Sequence, residues 1–437
     1  MDWWQALVLL VGMMLLLMLS GVPVVISFLL VDLVGAFLFM GGEAGLSQLI
    51  LNVRESLTSF SLLPIPLFIL MGEVMFRSGV GFRAIDVVDQ WFGRVPGRLS
   101  LVAITSGTLL AAVSGSTLAS AALLGEILLP EMQRRGYKHE MSIGPILGTG
   151  GLAMLIPPSA LAIVLAALCD ISIGGLLIAG IVPGIMIATF MATYVIIRCW
   201  LQPEIAPPYQ VEAVPRGRKI WETIVNVLPL GVIIFLVVGL IFLGVATPSE
   251  AAALGCLGTF GVALARGRMN FRILAECIMG TVKLTSMIFL IIVGSMTFSQ
   301  ILAFSGASSG LIKAVTSFDL SPFMVLVLMQ LMLIFLGCFM DNLSMVMIAI
   351  PIYMPIAHAL HFDPMWFALI MLINMDIGNI SPPFGLLLFV MKGIAPAGTT
   401  MMQVYKAGIP FLMCELLTMI LIMLFPTIGL YLPSLIR

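Results

Sequence analysis

The 437-residue sequence is 61% hydrophobic and only 9% charged, and its formal net charge at pH 7 is −1. This composition excludes a soluble globular protein, and the near-zero charge without a basic stripe argues against a nucleic-acid partner. Many apolar runs exceed the roughly 18 residues that mark a membrane-spanning helix. The composition therefore predicts an all-α polytopic membrane protein, with the lipid bilayer as its surroundings.

The first elements along the chain are predicted spans and amphipathic helices. Spans are expected over about 5–20, 24–40 and 62–76, with a helix near 44–58 whose polarity suits the membrane interface. The stretch 79–98 is amphipathic and carries Arg83, Arg94 and Arg98. Basic residues concentrate on the cytoplasmic side of membrane proteins. This stretch is therefore predicted to be cytoplasmic, and the N-terminus periplasmic.

The next segment is too short to cross the bilayer in one pass. Residues 99–113 form an apolar run of fifteen residues, about 22 Å of helix against a hydrocarbon core of roughly 30 Å. Small polar residues at 114–117 interrupt the run, which resumes to Met132 and is followed by Arg134 and Arg135. Basic residues at both ends predict that 99–132 is a re-entrant helical hairpin, with its tip at membrane depth.

A broken membrane span is predicted over 142–168. The glycines at 148, 150 and 151 and the pair Pro157-Pro158 lie within an apolar run that is otherwise long enough to span. Glycine costs about 1 kcal/mol in a helix interior and proline about 3, so a continuous helix is not expected here. Unwound backbone at membrane depth needs protein or a wet cavity to receive its polar groups. The break therefore predicts a binding site near the membrane midplane.

The same pattern returns 225 residues later. Pro382 and Pro383 interrupt a run over 365–390, and they follow Pro157 and Pro158 at one offset (382 − 157 = 225). The proline pairs 130 with 355 and 23 with 248 share this offset. Four matches among 25 prolines indicate an internal duplication. Two repeats are predicted, 1–201 and 223–437, each with a hairpin and a discontinuous helix, joined by a cytoplasmic linker at 202–222.

The second repeat is predicted to start from the opposite side of the membrane. Spans are expected over about 225–243 and 251–265, an interfacial piece over 271–283, a span over 287–303, a hairpin over 322–359 and a last span over 409–428. Thr247-Pro248-Ser249-Glu250 is expected to turn the chain and cap a helix. Arg266, Arg268 and Arg272 predict a cytoplasmic turn. The repeats should therefore have inverted topology, with a periplasmic C-terminus.

Five motifs together resemble the large membrane subunit of tripartite ATP-independent periplasmic (TRAP) transporters, and they do so in order and with matching spacing. The motifs are Ser114-Gly115-Ser116-Thr117 through Arg134-Arg135-Gly136-Tyr137, Gly148-Thr149 through Ile156-Pro157-Pro158-Ser159, Thr247-Pro248-Ser249-Glu250-Ala251, Met340-Asp341 through Pro351 and Pro355, and Ile377-Gly378 through Ser381-Pro382-Pro383. At Asp376 and Ser381 the family more often has Glu and Thr.

The resemblance implies a transporter rather than an enzyme. It implies sodium-coupled secondary active uptake of an organic acid anion across the bacterial inner membrane by an elevator mechanism. A periplasmic substrate-binding protein would deliver the anion, and a small four-helix membrane subunit would be a separate chain. Sialic acid, dicarboxylates, keto acids, sugar acids and sulfonates all stay open as cargo.

Sodium is a hard cation that requires oxygen ligands, and unwound backbone and hydroxyl groups supply them. Sodium and substrate are therefore predicted to bind at Ser114, Gly115, Ser116, Thr117, Gly148, Thr149, Gly150 and Pro157 in the first repeat, and at Asp341, Asn342, Ser344, Asp376, Gly378, Ser381 and Pro382 in the second. Na⁺ itself is predicted at Ser114, Ser116, Gly148, Thr149, Asp341 and Asp376. The alternative is ordinary packing by small residues, with structural carboxylates at the two acids.

Other functions are retained as alternatives. A single-component sodium/dicarboxylate carrier would use a similar inverted-repeat fold. Glu73, Glu126 and Glu415 are candidates for proton coupling. The stretch from Gly306 to Gly310 fits Gly-x-Ser-x-Gly with Ser308 as nucleophile, but it follows a predicted helix rather than a strand. No phosphate-binding Gly-x-x-x-x-Gly-Lys-Ser/Thr motif occurs in the sequence, so ATP is not expected as the energy source.

Overall fold

The computed structural model describes residues 1–93, 95–114, 117–207, 214–318 and 320–435, with the side chains at 82, 113 and 114 outside the description. The first half contains α1 (Trp3–Leu19), α2 (Val24–Phe39), α3 (Glu43–Leu57), α4 (Pro64–Ser78), α5 (Phe82–Trp91), α6 (Arg98–Ser114), α7 (Thr117–Arg134), α8 (His139–Leu155), α9 (Ala160–Leu168), α10 (Ile173–Ala179) and α11 (Ile181–Leu201). The second half contains α12 (Arg216–Asn226), α13 (Leu228–Ile234), α14 (Leu240–Phe242), α15 (Pro248–Ala265), α16 (Phe271–Phe304), α17 (Ala307–Ser317), α18 (Pro322–Gly337), α19 (Asn342–Ala359), α20 (Pro364–Ile380), α21 (Leu386–Ile394), α22 (Met401–Leu424) and α23 (Pro426–Leu430).

The predicted all-helical, multi-span class is confirmed. Within the described ranges no β-strand occurs, and seven helices are long and apolar enough to cross a membrane, or eight if the bent pair α8 and α9 counts as one span. Large apolar side chains cover much of the surface, and Leu16, Leu257 and Phe335 each expose more than half of their area. A continuous apolar surface of this kind requires lipid or another membrane subunit around it.

The predicted cap at the start of α15 is confirmed. The Thr247 backbone N–H donates to Glu250 Oε2 at 2.8 Å, and the Glu250 backbone N–H donates to Thr247 Oγ1 at 3.3 Å. This reciprocal capping box satisfies two amides that would otherwise lack acceptors at the helix end, and Pro248 occupies a position where no amide donor is needed. The tetrapeptide therefore sets where α15 begins.

A helix break occurs in both predicted discontinuous spans. Helix α8 ends at Leu155 and α9 begins at Ala160, with axes 45° apart. Helix α20 ends at Ile380 and α21 begins at Leu386. Both breaks contain a Pro-Pro pair, which lacks two backbone donors and cannot continue a helix. Around the first break, Ser159 Oγ accepts the Ala162 amide at 3.2 Å and so caps α9.

The expectation that the helix unwinds at the glycines of α8 is wrong. Helix α8 continues through residues 148–151 as far as Leu155. A Cβ added at Gly148 would lie 2.8 Å from Met191 and 2.9 Å from Phe411, and one added at Gly150 would lie 3.2 Å from Ala121. These glycines let neighbouring helices approach closely, and that packing outweighs their poor helix propensity.

The helix boundaries repeat at the spacing of the prolines. Helix α19 begins and ends 225 residues after α7 (342 − 117 = 359 − 134 = 225), and α20 begins and ends 225 residues after α8 (364 − 139 = 380 − 155 = 225). Helices α18 and α19 occupy the second predicted hairpin segment, and α6 and α7 the first. The tip between α6 and α7, at Gly115 and Ser116, lies outside the described residues.

Two stretches of the second half differ from the prediction. Residues 271–304 form one helix, α16, of 34 residues, about 51 Å long, where a separate interfacial piece and span were expected. No proline interrupts this stretch, whereas Pro64 and Pro66 follow the corresponding gap between α3 and α4. The predicted linker at 202–222 is also too long, because α12 begins at Arg216, directly after Pro215 as N-cap.

The helices form two groups that meet along a limited boundary. Helix α4 packs mainly with α15 and α16, and α16 also packs with α2 and α3, whereas α8 packs with α6, α7, α20 and α22. Contacts between the groups run through α6 and α9 against α4, and through α9 and α19 against α16. Inside the second group, glycines allow helices α18 and α20 to approach each other closely, because Gly337 of α18 lies directly against Gly378 of α20.

Replacing Gly337 by alanine is expected to destabilise the protein. The added Cβ would lie 2.9 Å from Gly378 Cα, a backbone atom that cannot move without separating two helices. Overpacking of this kind costs about 1–3 kcal/mol. Gly261→Ala is the matched control, since no atom lies within 4 Å of its added Cβ. Thermal unfolding in detergent should show a lower midpoint for Gly337→Ala only, and equal midpoints for both variants would contradict the packing.

Candidate functional site

A cavity of about 460 Å³ lies where the two groups of helices meet. It unites parts of the chain that are far apart in sequence, namely both helix breaks and the first turns of α7 and α19. Its polar lining residues are Glu73 and Arg77 of α4, Thr117 of α7, Asp341 and Asn342 at the start of α19, and Asn379 before the second break, and Pro158 of the first break joins them. A mostly apolar pocket with a few convergent polar groups has the form of a small-molecule site.

Asp341 lies at the cavity as the N-cap of α19. The Ser344 amide donates to Asp341 Oδ2 at 3.1 Å, and the Ser344 hydroxyl donates to Oδ1. The carboxylate therefore holds the helix end and remains exposed toward the cavity. Next to it, Asn342 is buried, donates to Met154 Sδ at 3.3 Å, and has no described partner for its Oδ1. An acceptor oxygen without a donor is suited to a bound cation or a substrate hydroxyl.

The predicted site residues of the first repeat are only partly at the cavity. Thr117 lines it and is buried, whereas Gly115, Ser116 and the Ser114 side chain lie outside the described residues. Thr149 is fully buried and donates its hydroxyl to the Pro145 carbonyl at 2.8 Å. It faces Gly107 of α6, where an added Cβ would lie 2.6 Å from it.

Gly148 and Gly150 lie in the helix contacts already described. Pro157 is buried in the first break, beside the cavity residue Pro158. Sodium binding at Gly148 and Thr149 stays a prediction.

The predicted residues of the second break line its backbone turn. Ser381 is buried, and its hydroxyl donates to the Ile377 carbonyl at 2.7 Å. The Pro382 carbonyl accepts from Cys338 Sγ at 3.3 Å. Gly378 packs on α18. These contacts hold the turn, and Asn379, one residue before α20 ends, is the neighbour that reaches the cavity.

Asp376 lies behind the cavity in contact with the first repeat. Its side chain is fully buried, and neither carboxyl oxygen has a hydrogen-bond partner among the described residues. A Cβ added at Gly151 would lie 1.2 Å from Asp376 Oδ1, so only glycine leaves room for this carboxyl. Glu415 of α22 is also fully buried and without a described partner, and it lies close enough for its charge to interact with that of Asp376.

Two buried carboxyl groups whose charges interact, and which have no hydrogen-bond donor among the described residues, fit a bound cation. A buried charge is costly unless it is paired, and a monovalent cation would neutralise one of them. The described residues contain no group of three or more His, Cys, Asp or Glu that could hold a metal ion. A cation here would therefore be held by Asp376 and Glu415 together with hydroxyl and backbone oxygens, a donor set that suits Na⁺.

A positively charged side chain, Arg77, also lines the cavity, and the sequence did not predict it as a site residue. Arg77 Nε donates to Glu73 Oε2 at 2.5 Å, and Arg77 Nη1 contacts Glu276 Oε2 of α16 at 3.4 Å. Glu276 in turn pairs with Arg272 at 3.1 Å. The spacing of Glu73 and Arg77 at i and i+4 inside an apolar span was the available signal. Arg77 gives the cavity a guanidinium that can receive a carboxylate.

Ser308 does not have the setting of a hydrolase nucleophile. It lies in the first turn of α17, directly after the long helix α16. A nucleophile elbow requires a strand before the serine and a helix after it. The helical setting on both sides favours Gly306 as a helix-linking turn, with φ of +73°.

Comparison with known proteins gives one consistent family. Residues 11–428 match the family described as "Tripartite ATP-independent periplasmic transporter, DctM component". A C4-dicarboxylate TRAP transporter large permease protein of Pseudomonas aeruginosa is 34% identical over 395 residues, with 89% of each chain covered. Its counterpart of Rhodobacter capsulatus is 31% identical over 441 residues, covering 97% of this chain and 98% of the relative.

A solved structure of Neisseria gonorrhoeae MtrF is similar in fold. The TM-score is 0.60 at 14% sequence identity, with 86% of this chain and 84% of that chain covered.

Proposed function

The chain belongs to the DctM component family of tripartite ATP-independent periplasmic transporters, and from this premise we propose that it drives sodium-coupled uptake of an organic acid anion. As a TRAP large permease it is a multi-pass protein of the bacterial inner membrane and not an enzyme. Membership implies substrate uptake with a periplasmic binding protein and a small membrane subunit. The observation that carries the proposal is the single cavity that joins both helix breaks with Arg77.

The proposed cargo site is this cavity, and the anion is recognised through Arg77. An organic acid needs a cationic or amide donor in an otherwise apolar pocket, and Arg77 and Asn379 of the cavity lining supply such donors. The positive ends of α7 and α19 begin at the same cavity and favour negative charge. Glu73 and Glu276 neutralise Arg77 while no anion is bound.

Sodium is proposed to bind in the second group of helices, where Asp376, Glu415 and Asp341 provide the negative charge. The support is the pair of buried carboxyl groups without donors, together with the unpartnered Asn342 Oδ1. The bound ion would supply positive charge beside two carboxyl groups that have no hydrogen-bond or ion-pair partner in the described part of the chain. Asp376 would hold that charge beside the cavity, and Gly151 would leave the room for it.

The two repeats are proposed to be inverted, and the second group of helices to move as an elevator against the first. Support comes from Gly151 and Asp376, which occupy equivalent positions of the two repeats (376 − 151 = 225) and lie in direct contact. Equivalent residues meet only near the rotation axis that relates the repeats. The limited boundary between the helix groups, with the cavity on it, is the arrangement that rigid-body motion requires.

Uptake is expected to require sodium and not ATP. Permease, small subunit and binding protein, reconstituted together, should lose uptake when choline replaces sodium and retain it when ATP is removed. Asp376→Asn should lower sodium-driven uptake at least about tenfold, which corresponds to about 1.4 kcal/mol. Glu126→Gln is the control, because this acid is exposed on α7. Persistence of uptake in sodium-free medium would refute the coupling.

Folding of these variants is checked by sodium-dependent stabilisation. One ion bound at a hundred times its Kd adds about 2.7 kcal/mol to the unfolding free energy. Wild type and Glu126→Gln should show higher unfolding midpoints in sodium than in choline, and folded Asp376→Asn should not. Equal stabilisation in all three proteins would remove Asp376 from the ion site.

Arg77→Gln is expected to raise the KM for the anion about tenfold, because a charge-assisted hydrogen bond is lost. Arg272→Gln is the matched control, since Arg272 pairs with the same Glu276 but is 88% exposed and does not line the cavity. Initial uptake rates over a range of binding-protein-delivered substrate provide the measurement. An unchanged KM in Arg77→Gln would exclude Arg77 as the anion contact.

Both termini are proposed to be periplasmic and the linker before α12 cytoplasmic. In a background without the six native cysteines, Arg216→Cys should react with an impermeant maleimide only from the cytoplasmic side. Val245→Cys, in the exposed turn before α15, should react only from the periplasm. The reverse pattern would invert the topology. A single-component carrier, the alternative, would transport in proteoliposomes that contain this chain alone.

A further inference from the structure

A second, smaller pocket of about 160 Å³ lies at the ends of several helices and away from the cavity. Its walls are Gly79 and Val80 after α4, Arg83 of α5, Val225 of α12, and Arg266 and Arg268 after α15. Three arginines from two separate segments therefore converge on one hollow. None of them forms an ion pair with a carboxylate in the part of the chain that the structure describes.

Arg266 is held in place by neutral groups. Its Nη1 donates to Asn226 Oδ1 at 3.1 Å, and its Nη2 donates to the Val225 carbonyl. Burial, followed by the positive charges of Arg83 and Arg268, lowers the pKa of Arg266. The guanidinium is thus oriented by the fold while its charge remains uncompensated. An arrangement of this kind is stabilised by an external anion.

The surroundings of the pocket are those of a membrane interface. Helix α12 exposes apolar side chains beside it, with Trp221 at 66% and Ile220 at 52% relative exposure. Trp91 at the end of α5 is 57% exposed and donates its indole N–H to Thr223 Oγ1 at 2.9 Å. Tryptophan at the level of the headgroups and arginine at their phosphates is the usual composition of such a surface.

We infer that Arg83, Arg266 and Arg268 bind the phosphate of an anionic phospholipid headgroup. The hollow is several times the roughly 30 Å³ that one water occupies, so it accommodates a phosphodiester group and its remaining hydration. The acyl chains would continue along the apolar face of α12. The nearest acid on the same helix as Arg83 is Asp86, which is exposed and forms no ion pair with it among the described residues.

The shape of the pocket favours a lipid over a protein partner. A protein segment would need an extended groove, whereas this hollow has six lining residues and takes one compact anion. The chemistry recognised is a phosphate, which is shared by a lipid headgroup and by free inorganic phosphate. Only the lipid also uses the exposed apolar side chains beside the pocket.

The test uses the permease purified with its small subunit, and native mass spectrometry after incubation with phosphatidylglycerol or phosphatidylcholine. Wild type should retain phosphatidylglycerol at least about fivefold more than phosphatidylcholine, since a single arginine near an anionic headgroup already accounts for a preference of that size. Arg268→Gln should lose about fivefold in phosphatidylglycerol retention. Arg54→Gln, an exposed arginine on α3, should match wild type.

Arg266→Gln should lose more lipid than Arg268→Gln, but it also removes the contacts with α12 and could fail to fold, so the inference rests on the exposed Arg268. Equal phosphatidylglycerol retention by wild type and Arg268→Gln would overturn it. Displacement of the lipid by millimolar inorganic phosphate alone would assign the pocket to a soluble anion and overturn the lipid assignment.

Discussion

The structure depends on one constraint, which is that backbone polar groups freed inside a membrane must be received by protein or by a wet cavity. Each Pro-Pro pair releases such groups, and both pairs lie at the inner boundary between the two groups of helices. Local turns satisfy part of the need: the Gly385 amide donates to the Ser381 carbonyl at 3.1 Å, and Ser159 caps α9. Residues at both breaks and the first turns of α7 and α19 line the cavity. The position of the site therefore follows from where the chain breaks.

Glycine is the means by which the breaks can be brought together. Gly337 and Gly378 allow backbone contact between α18 and α20, and Gly151 provides the volume that the Asp376 carboxyl occupies. Membrane helices lack the hydrophobic force that drives association in water, so such close packing supplies much of the attraction between them. The same residues that read as helix breakers in the sequence thus function as helix contacts, provided that the helix has partners on several sides.

Features that a residue's own covalent structure determines could be predicted from the sequence, whereas features that depend on distant neighbours could not. Proline carries its effect in its own covalent structure, and the breaks at Pro157 and Pro382 and the ends of α19 and α20 follow from residue type and repeat spacing alone. The continuity of α8 and of α16 is decided by neighbours distant in sequence, and local propensity does not contain that information. The ion pair of Arg77 with Glu276, 199 residues away, and the burial of Asp376 and Glu415 depend on tertiary packing for the same reason. Arg77 was therefore not predicted as a site residue, and Glu415 was predicted only as a candidate for proton coupling.

The two predicted repeats have helix boundaries at matching positions but differ in charge. Asp376 and Asp341 stand in the second repeat where the first has Gly151 and Ser116, while the arginine of the cavity comes from the first repeat. The proposed cation site therefore draws its acids from the second predicted repeat, whereas the proposed anion site draws its arginine from the first. In a region of low polarity, opposite charges attract each other with an energy that falls only as the inverse of distance. At the two proposed sites, binding of either ion would therefore strengthen binding of the other, and this reciprocity is the physical requirement for coupled transport.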